Sequence, residues 1–423
     1  MSRSALVQNS LDARLPVIDR ADGVWLYDTD GKGYIDGSSG AVVSLVGHNH
    51  PRVLAAMTHQ ASRATFTHRG AFTSEPAERL ADELAALTGY PGVWLVNSGS
   101  EAVEAALQFA LQYHDETGRP GRRLFLSHRR GYHGNTLGAL SLSGHGRRRV
   151  VEGLVPPWPT LPTPGRDATA ELLCGVRAEL ERTAGTVAGV VVEVVGGATL
   201  GAVVPPAGYL HGLRGLCDEF DVLLVFDEVM TGLARTGRTL AAEHWGVRAD
   251  IQVVGKGLGG GYTPIAATLL SAPIVDAIAS GSRRVLGGHT YAANPLSAAI
   301  ARAVLAVVAD ERLTERAAAL GTQLGTMLDG LATRHRVVAE VRGIGMLWGV
   351  ELHNPHGPTG AVAAALTAAA AEAGLIVYQA TGGFNDAVLV APPLTIREDE
   401  LGELGARLDI ALGVLGPAPT GAR

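Results

Sequence analysis

The sequence predicts an α/β protein: a largely parallel sheet covered by helices on both faces, joined to a smaller α+β unit. Two observations carry that prediction. The runs "GVWLVN" (92–97), "RLFLSH" (123–128), "GVVVEVV" (189–195), "VLLVFD" (222–227) and "IQVVG" (251–255) are apolar almost throughout, as in strands buried on both faces. Helical stretches separate most of them, and strands alternating with helices build parallel sheets. Length adds a third: 423 residues exceed the usual span of one hydrophobic core, so a second lobe is expected.

Taken in order, "GVWLYDTDGKGYID" (23–36) reads as a hairpin, because Asp30-Gly31 between two β-rich runs suits a turn with positive φ. "GSSGAVVSLVGHNHP" (37–51) is a glycine-punctuated loop, and an amphipathic helix is expected from about Pro51. "AERLADELAALTG" is helical and leads to the strand at 92–97, after which "SGS" opens the helix "EAVEAALQFALQYH". Beyond about residue 295 an Ala-rich helix runs through "PLSAAIARAVLAVVADERL". "GIGMLWGVEL" (343–352), "GLIVYQ" (374–379) and "AVLVAPPL" (387–394) are expected strands of the smaller unit. "AVAAALTAAAAEAG" (361–374) falls short of the ~20 apolar residues a membrane span needs and reads as a helix closed by Gly374. The tail "GPAPTGAR" is expected to be unstructured.

Composition narrows the function. At 47% hydrophobic, 18% charged and a net charge of −6, the chain lacks the basic balance of a nucleic-acid binder. Arg147, Arg148 and Arg149 cluster, but three charges in one loop read as a solvated turn. Cys174 and Cys217 are too few for a disulfide scaffold, and the opening "MSRSALVQNSLDARLP" has no signal-peptide core, so a cytoplasmic protein is expected. His48 and His50 of "GHNHP" lack a partner pair of ligand spacing, so no metal site is expected.

Ligands of such sheets collect at the carboxyl ends of strands. Ser98-Gly99-Ser100 follows one strand and starts a helix, where free N–H groups bind phosphate; the same residues also read as a plain Ser N-cap. Asp227 ends an apolar strand, where an unpaired carboxylate is costly and must meet a cation or several donors. Its neighbour Glu228 is expected to point to the other face. Tyr132 and His133, in "RRGYHGNTLGAL", offer a flat side chain to a flat ligand, or simply pack. Lys256, in "VVGKGLGGGY", sits among five glycines, where burial would depress its pKa and free the amine as a nucleophile. No Ser/Thr follows Lys256, so this is not a P-loop. Together these features suit pyridoxal 5′-phosphate: N–H groups for the phosphate, an aromatic platform, an acid for the ring nitrogen and a lysine for the aldehyde.

With those residues in hand, the chain resembles the class III pyridoxal-phosphate aminotransferases of fold type I. The resemblance runs through "GVWLYDTDGKGYIDGSSG", "GHNHPRV", "NSGSEAVEAAL", "GYHGNTLGA", "VFDEVMTGLARTG", "KGLGGGYTPIAA", "GHTYAANPLSAA" and "APPLTI". It implies a large domain with a mostly parallel seven-stranded sheet over 61–300, and a small domain built from 1–60 and 301–423. It also implies a homodimer with shared active sites. By motif, Ser98, Gly99 and Ser100 hold the phosphate, Tyr132 stacks on the ring with His133 beside it, and Val229 packs the opposite face. Asp227 meets the pyridine nitrogen, Lys256 forms the imine, Glu193 belongs to the site, and Thr290 reaches the neighbouring subunit's phosphate. Departures bear on substrate. Asn135 stands where an arginine can clamp a carboxylate, and "YQATGGFNDAVLVAPPL" has no arginine before its Pro-Pro motif. The ω-aminotransferase-like subgroup is therefore expected, with a small-molecule amine donor and an oxo acid or ketone acceptor. Trp25, Phe66 and Phe384 are candidate substrate walls, and Arg235 of "ARTG" is a candidate carboxylate ligand. Decarboxylation, racemisation and amino migration use the same cofactor, and these motifs do not separate them.

Overall fold

A computed structural model describes residues 5–8, 15–154, 158–165, 167–354 and 357–416; the expected unstructured tail lies, from residue 417, outside the described residues. The chain begins with β1 (Ile18–Asp22), β2 (Trp25–Asp28) and β3 (Gly33–Asp36), paired antiparallel. The expected hairpin is β2–β3. Gly31 takes φ +85° in its turn, and Asp28 closes it by accepting the N–H groups of Asp30 and Lys32 and the Tyr34 hydroxyl.

The large sheet comprises β4 (Gly92–Val96), β5 (Leu124–His128), β6 (Thr160–Leu161), β7 (Val187–Glu193), β8 (Leu223–Glu228), β9 (Ile251–Val254) and β10 (Ala266–Leu270). Their order is β4-β10-β9-β8-β7-β5-β6. Strands β5 to β9 are parallel, while β10 runs antiparallel to both β9 and β4. Every residue of β8 is buried, which is why its sequence lacks polar alternation. The helix Gly99–Glu116 covers one face through Ala102, Val103, Ala105, Ala106, Phe109 and Ala110. Helices Thr169–Arg182 and Tyr209–Glu219 cover the other through Leu172, Val176, Leu180, Leu210 and Leu213.

After the sheet, helix Pro295–Asp310 is capped by the Asn294 side chain, which accepts the Ser297 N–H at 3.0 Å. The Ala-rich stretch does not stay one helix to Leu313: Arg312 turns left-handed at φ +50°, and a second helix, Leu313–Arg334, follows. The smaller sheet holds β11 (Val338–Ile344), β12 (Leu347–Leu352), β14 (Tyr378–Gln379) and β15 (Ala387–Val390), while β13 (Leu375–Ile376) lies elsewhere. "GLIVYQ" is thus split at Val377 between two sheets. Its first half, β13, pairs parallel with β3 and ties the two ends of the chain together. Helix Ala361–Glu372 buries Ala363, Leu366 and Ala370 and is followed by Gly374 at φ +77°. Helix Glu398–Val414 closes the described chain. No helix among the described residues is long and apolar enough to cross a membrane.

Candidate active site

The carboxyl ends of β4, β5, β7, β8 and β9 open onto one cavity of about 180 Å³. Its walls include Ser98, Gly99, Ser100, Tyr132, His133, Glu193, Asp227, Val229 and Lys256, nine of the ten residues expected to meet a cofactor. Gly134, Val195, Ala198, Met230 and Thr231 complete it. A wider cleft of about 750 Å³ lies along Arg129, Arg130, Pro164, Arg342 and Phe384. It contains no lysine, so chemistry rather than size picks the smaller cavity.

Strand geometry separates the two acids of β8. Asp227 faces the cavity, whereas Glu228 turns to the opposite face and accepts the N–H groups of Ala241 and Ala242 at 2.5 and 3.0 Å. Burial pushes the Glu228 carboxyl up to about 7. Asp227 Oδ2 accepts from His133 Nδ1 at 2.9 Å and Oδ1 accepts from Val229 N at 3.1 Å, a carboxylate's pattern of acceptance at both oxygens. The acceptor on the other side makes His133 Nδ1 the protonated nitrogen. Burial opposes charge on His133, but the bond and charge of Asp227, with Glu193 behind it, outweigh burial and raise its pKa. Glu193, at the end of β7, accepts the Tyr132 N–H at 3.0 Å and the Gly197 N–H at 2.9 Å, so it sets both the aromatic ring's loop and the loop after β7.

Lys256 stands two residues beyond β9, at φ +41°. A non-glycine residue there carries backbone strain of about 1–3 kcal/mol, which folded structure must impose. Its glycine neighbours are the means. A Cβ on Gly259 would stand 2.1 Å from the Thr263 carbonyl oxygen, and Gly260 and Gly261 adopt φ +58° and +87°. Burial lowers the Lys256 amine to about 8, against the pull of Asp227 and Glu193. The lysine amine is thus lowered by burial and held by a loop that its glycines make possible.

At the end of β4, Ser98 caps the helix by accepting the Glu101 N–H at 3.2 Å, and Glu101 reaches back to the Asn97 N–H at 2.8 Å. The Ser N-cap reading holds, and the cap leaves the N–H groups of Gly99 and Ser100 without intrahelical acceptors. A Cβ on Gly99 would come within 2.8 Å of Val229 Cγ1, so only glycine lets the helix start approach that wall. N–H donors and a hydroxyl, an aromatic ring and an aliphatic side chain in one cavity, an acid fixed by two donors and a depressed lysine amine: this set fits pyridoxal 5′-phosphate.

The remaining candidates lie elsewhere. Arg235, expected near a substrate carboxylate, is 1% exposed. It donates to the carbonyls of Met346 (3.1 Å) and Pro392 (2.6 Å) and to Ser39 Oγ (3.1 Å), so its guanidinium serves the core instead. Trp25 donates from Nε1 to Glu400 and stacks near Tyr27, outside the cavity. Phe66 is exposed and packs edge-on against Tyr291. Phe384 lines the wider cleft beneath Arg130. Thr290 is outside the cavity of its own chain. His48 bonds Asp36 and His50 bonds Glu311, each at 3.0 Å. Sequence reasoning missed Val195, Ala198, Met230 and Thr231, whose only signal was adjacency to Glu193 and Asp227.

The family model described as aminotransferase class-III matches residues 7–412. An uncharacterized aminotransferase of Bacillus subtilis, YodT, is 40% identical over 95% of this chain and 96% of its own. The ornithine aminotransferase of Bordetella pertussis is 35% identical, over 96% and 93%. Among solved structures, an amine transaminase from an uncultivated Pseudomonas species, in its PLP-bound internal aldimine form, superposes with a TM-score of 0.91. It is 33% identical and covers 98% of both chains.

Proposed function

Because this chain belongs to the class-III aminotransferase family, we propose that it moves an amino group from an amine or ω-amino acid donor to an oxo acid or ketone acceptor. Two half-reactions would alternate at one site. The observation that carries the reading is the Lys256 amine, lowered to about 8, in one small cavity with the Asp227–His133 pair. The cofactor, pyridoxal 5′-phosphate, supplies when bound an aldehyde for an amine and a ring that draws electrons from the carbon bearing the substrate nitrogen.

The chain's own residues do the rest. Lys256 would hold the cofactor through Nζ; once freed by the substrate amine, the same Nζ would take a proton from the substrate carbon that bears the nitrogen and return it to the carbon on the other side of that nitrogen. An amine near 8 is neutral often enough to accept that proton and acidic enough to give it back. Asp227 would hold a proton on the ring nitrogen, and His133 and the Val229 N–H fix its carboxylate for that task. Tyr132 and Val229 would hold the cofactor ring, and Glu193 anchors Tyr132 through the main chain. The N–H groups at Gly99 and Ser100, at the positive end of a helix, receive the phosphate.

Relatives named for ornithine and for amines support a terminal-amine donor. A second copy of the chain would complete the site, with Thr290 and the exposed Phe66–Tyr291 pair reaching across. Both cysteines are free thiols, which suits a reducing cytoplasm. The test mixes purified protein with a panel of amines and follows conversion of the cofactor to its aminated form, then its recovery on adding oxo acids. Release of carbon dioxide, or no conversion with any donor, refutes the reading.

A further inference from the structure

An oxo acid acceptor brings a carboxylate, and the guanidinium that the sequence offers for it, Arg235, is spent in the core. The aminotransferase reading therefore needs another cation near the substrate. Tyr132, a wall of the cavity, leads outward to one. Its ring meets His145 edge-on, with centroids 5.5 Å apart. His145 Nε2 bonds Thr381 Oγ1 at 3.1 Å, and Nδ1 accepts the Arg147 N–H at 3.1 Å. Both nitrogens are thus occupied in the neutral ring, and burial, with the charge of Arg147, lowers its pKa. His145 offers no charge of its own; it positions the turn that begins beside it.

In that turn, Gly146–Val151, Arg147 is exposed and in no ion pair among the described residues. Its charge is felt at Tyr378, whose hydroxyl burial and Tyr132 push up while Arg147 pulls down. Tyr132 meets His145, and His145 bonds the main chain of Arg147, so the turn that bears Arg147 is joined to the cavity through these two side chains. Thr381, bonded to His145, donates its N–H to the carbonyl of Ala198, itself a cavity residue, at 3.0 Å. We propose that Arg147 receives the carboxylate of the acceptor, as the specificity-determining cation of this site. Its planar fork gives a carboxylate two parallel N–H bonds, which neither neutral His145 nor a lysine could supply. The proposal rests on the aminotransferase reading, and it turns a stretch that looks like a solvated basic turn into a substrate contact.

The test has two arms. In the first, holoenzyme is titrated calorimetrically with propionate, an unreactive carboxylate, which requires no turnover. Wild type should bind it saturably, R147A at least tenfold more weakly, R147K in between, and R149A, in the same turn, like wild type. In the second, 1-phenylethylamine, a donor without a carboxylate, should aminate the cofactor at equal rates in wild type and R147A. The KM for pyruvate should rise at least tenfold in R147A with kcat little changed. Equal propionate affinity in wild type and R147A, no saturable binding in wild type, or an equal loss in R149A overturns the assignment. Failure of every donor in wild type would instead sink the aminotransferase reading, leaving the propionate arm to judge Arg147.

Discussion

The lysine amine's titration offers the sharpest test of the site's physics. Stripped of cofactor, the protein should capture pyridoxal 5′-phosphate at a rate that tracks the neutral fraction of Lys256. With an ordinary pKa of 10.5, lowered here to about 8, that fraction at pH 7 rises from about 1 in 3,000 to about 1 in 11, a gain of ~300-fold. The capture rate, read from the visible band of the lysine-linked cofactor after rapid mixing, should climb from pH 6, reach half its maximum near pH 8 and level off above about pH 9. The sign of the carboxylate effect is fixed by its cause. Burial disfavours the charged amine, whereas Asp227 and Glu193 favour it, so Asp227→Asn should move the plateau to lower pH. Linkage gives an independent readout. The unfolded chain holds this proton up to about 10.5 and the folded apoprotein only to about 8, so this group makes the apoprotein more stable as pH rises through that window. A rate still rising through pH 10, or a plateau displaced upward in Asp227→Asn, would refute the argument that burial dominates at Lys256.

Other expectations are simpler. Asp227→Asn should retain cofactor in equilibrium dialysis but lose roughly 100-fold or more in kcat/KM, because the ring nitrogen loses its ionised partner; Glu193→Gln, which keeps one main-chain acceptor, should lose about tenfold or less. Gly99→Ala places a methyl 2.8 Å from Val229 Cγ1 and should weaken cofactor binding at least tenfold, about 1.4 kcal/mol, with the fold intact by circular dichroism. Arg235→Met removes the donors of three buried bonds and should cost about 3–5 kcal/mol in urea unfolding; a raised KM with unchanged stability would restore Arg235 to the substrate site.

Much of the site was legible because its residues violate local expectation. An aspartate ending a wholly apolar strand and a lysine among glycines are expensive unless used, and both line the cavity. Arg235 misled by the same logic. It too is a charge in an apolar setting, but its partners at Ser39, Met346 and Pro392 are up to 196 residues away in the chain, and only the folded core shows that carbonyls absorb it. Val195, Ala198 and Met230 escaped because apolar residues carry no such anomaly. Strand β10 escaped for a related reason: Ala266–Leu270 is built of small and apolar residues just after a glycine loop, and its antiparallel place between β9 and β4 depends on long-range pairing. The helix break at Arg312 rests on a left-handed φ that arginine does not advertise.

The cavity's charges also set its two acids apart. Asp227 and Glu193 share one small space with His133 and Lys256, and two buried carboxylates so close disfavour joint ionisation. The burden falls on Glu193: burial and Asp227 raise its pKa, while His133 and the N–H groups of Gly197 and Tyr132 only partly offset them. Asp227 instead has the histidine, whose pKa rises through the same bond. A histidine bonded to one acid and merely near the other makes their surroundings unequal, although the two are paired in register on neighbouring strands. That inequality comes from where one histidine ring points.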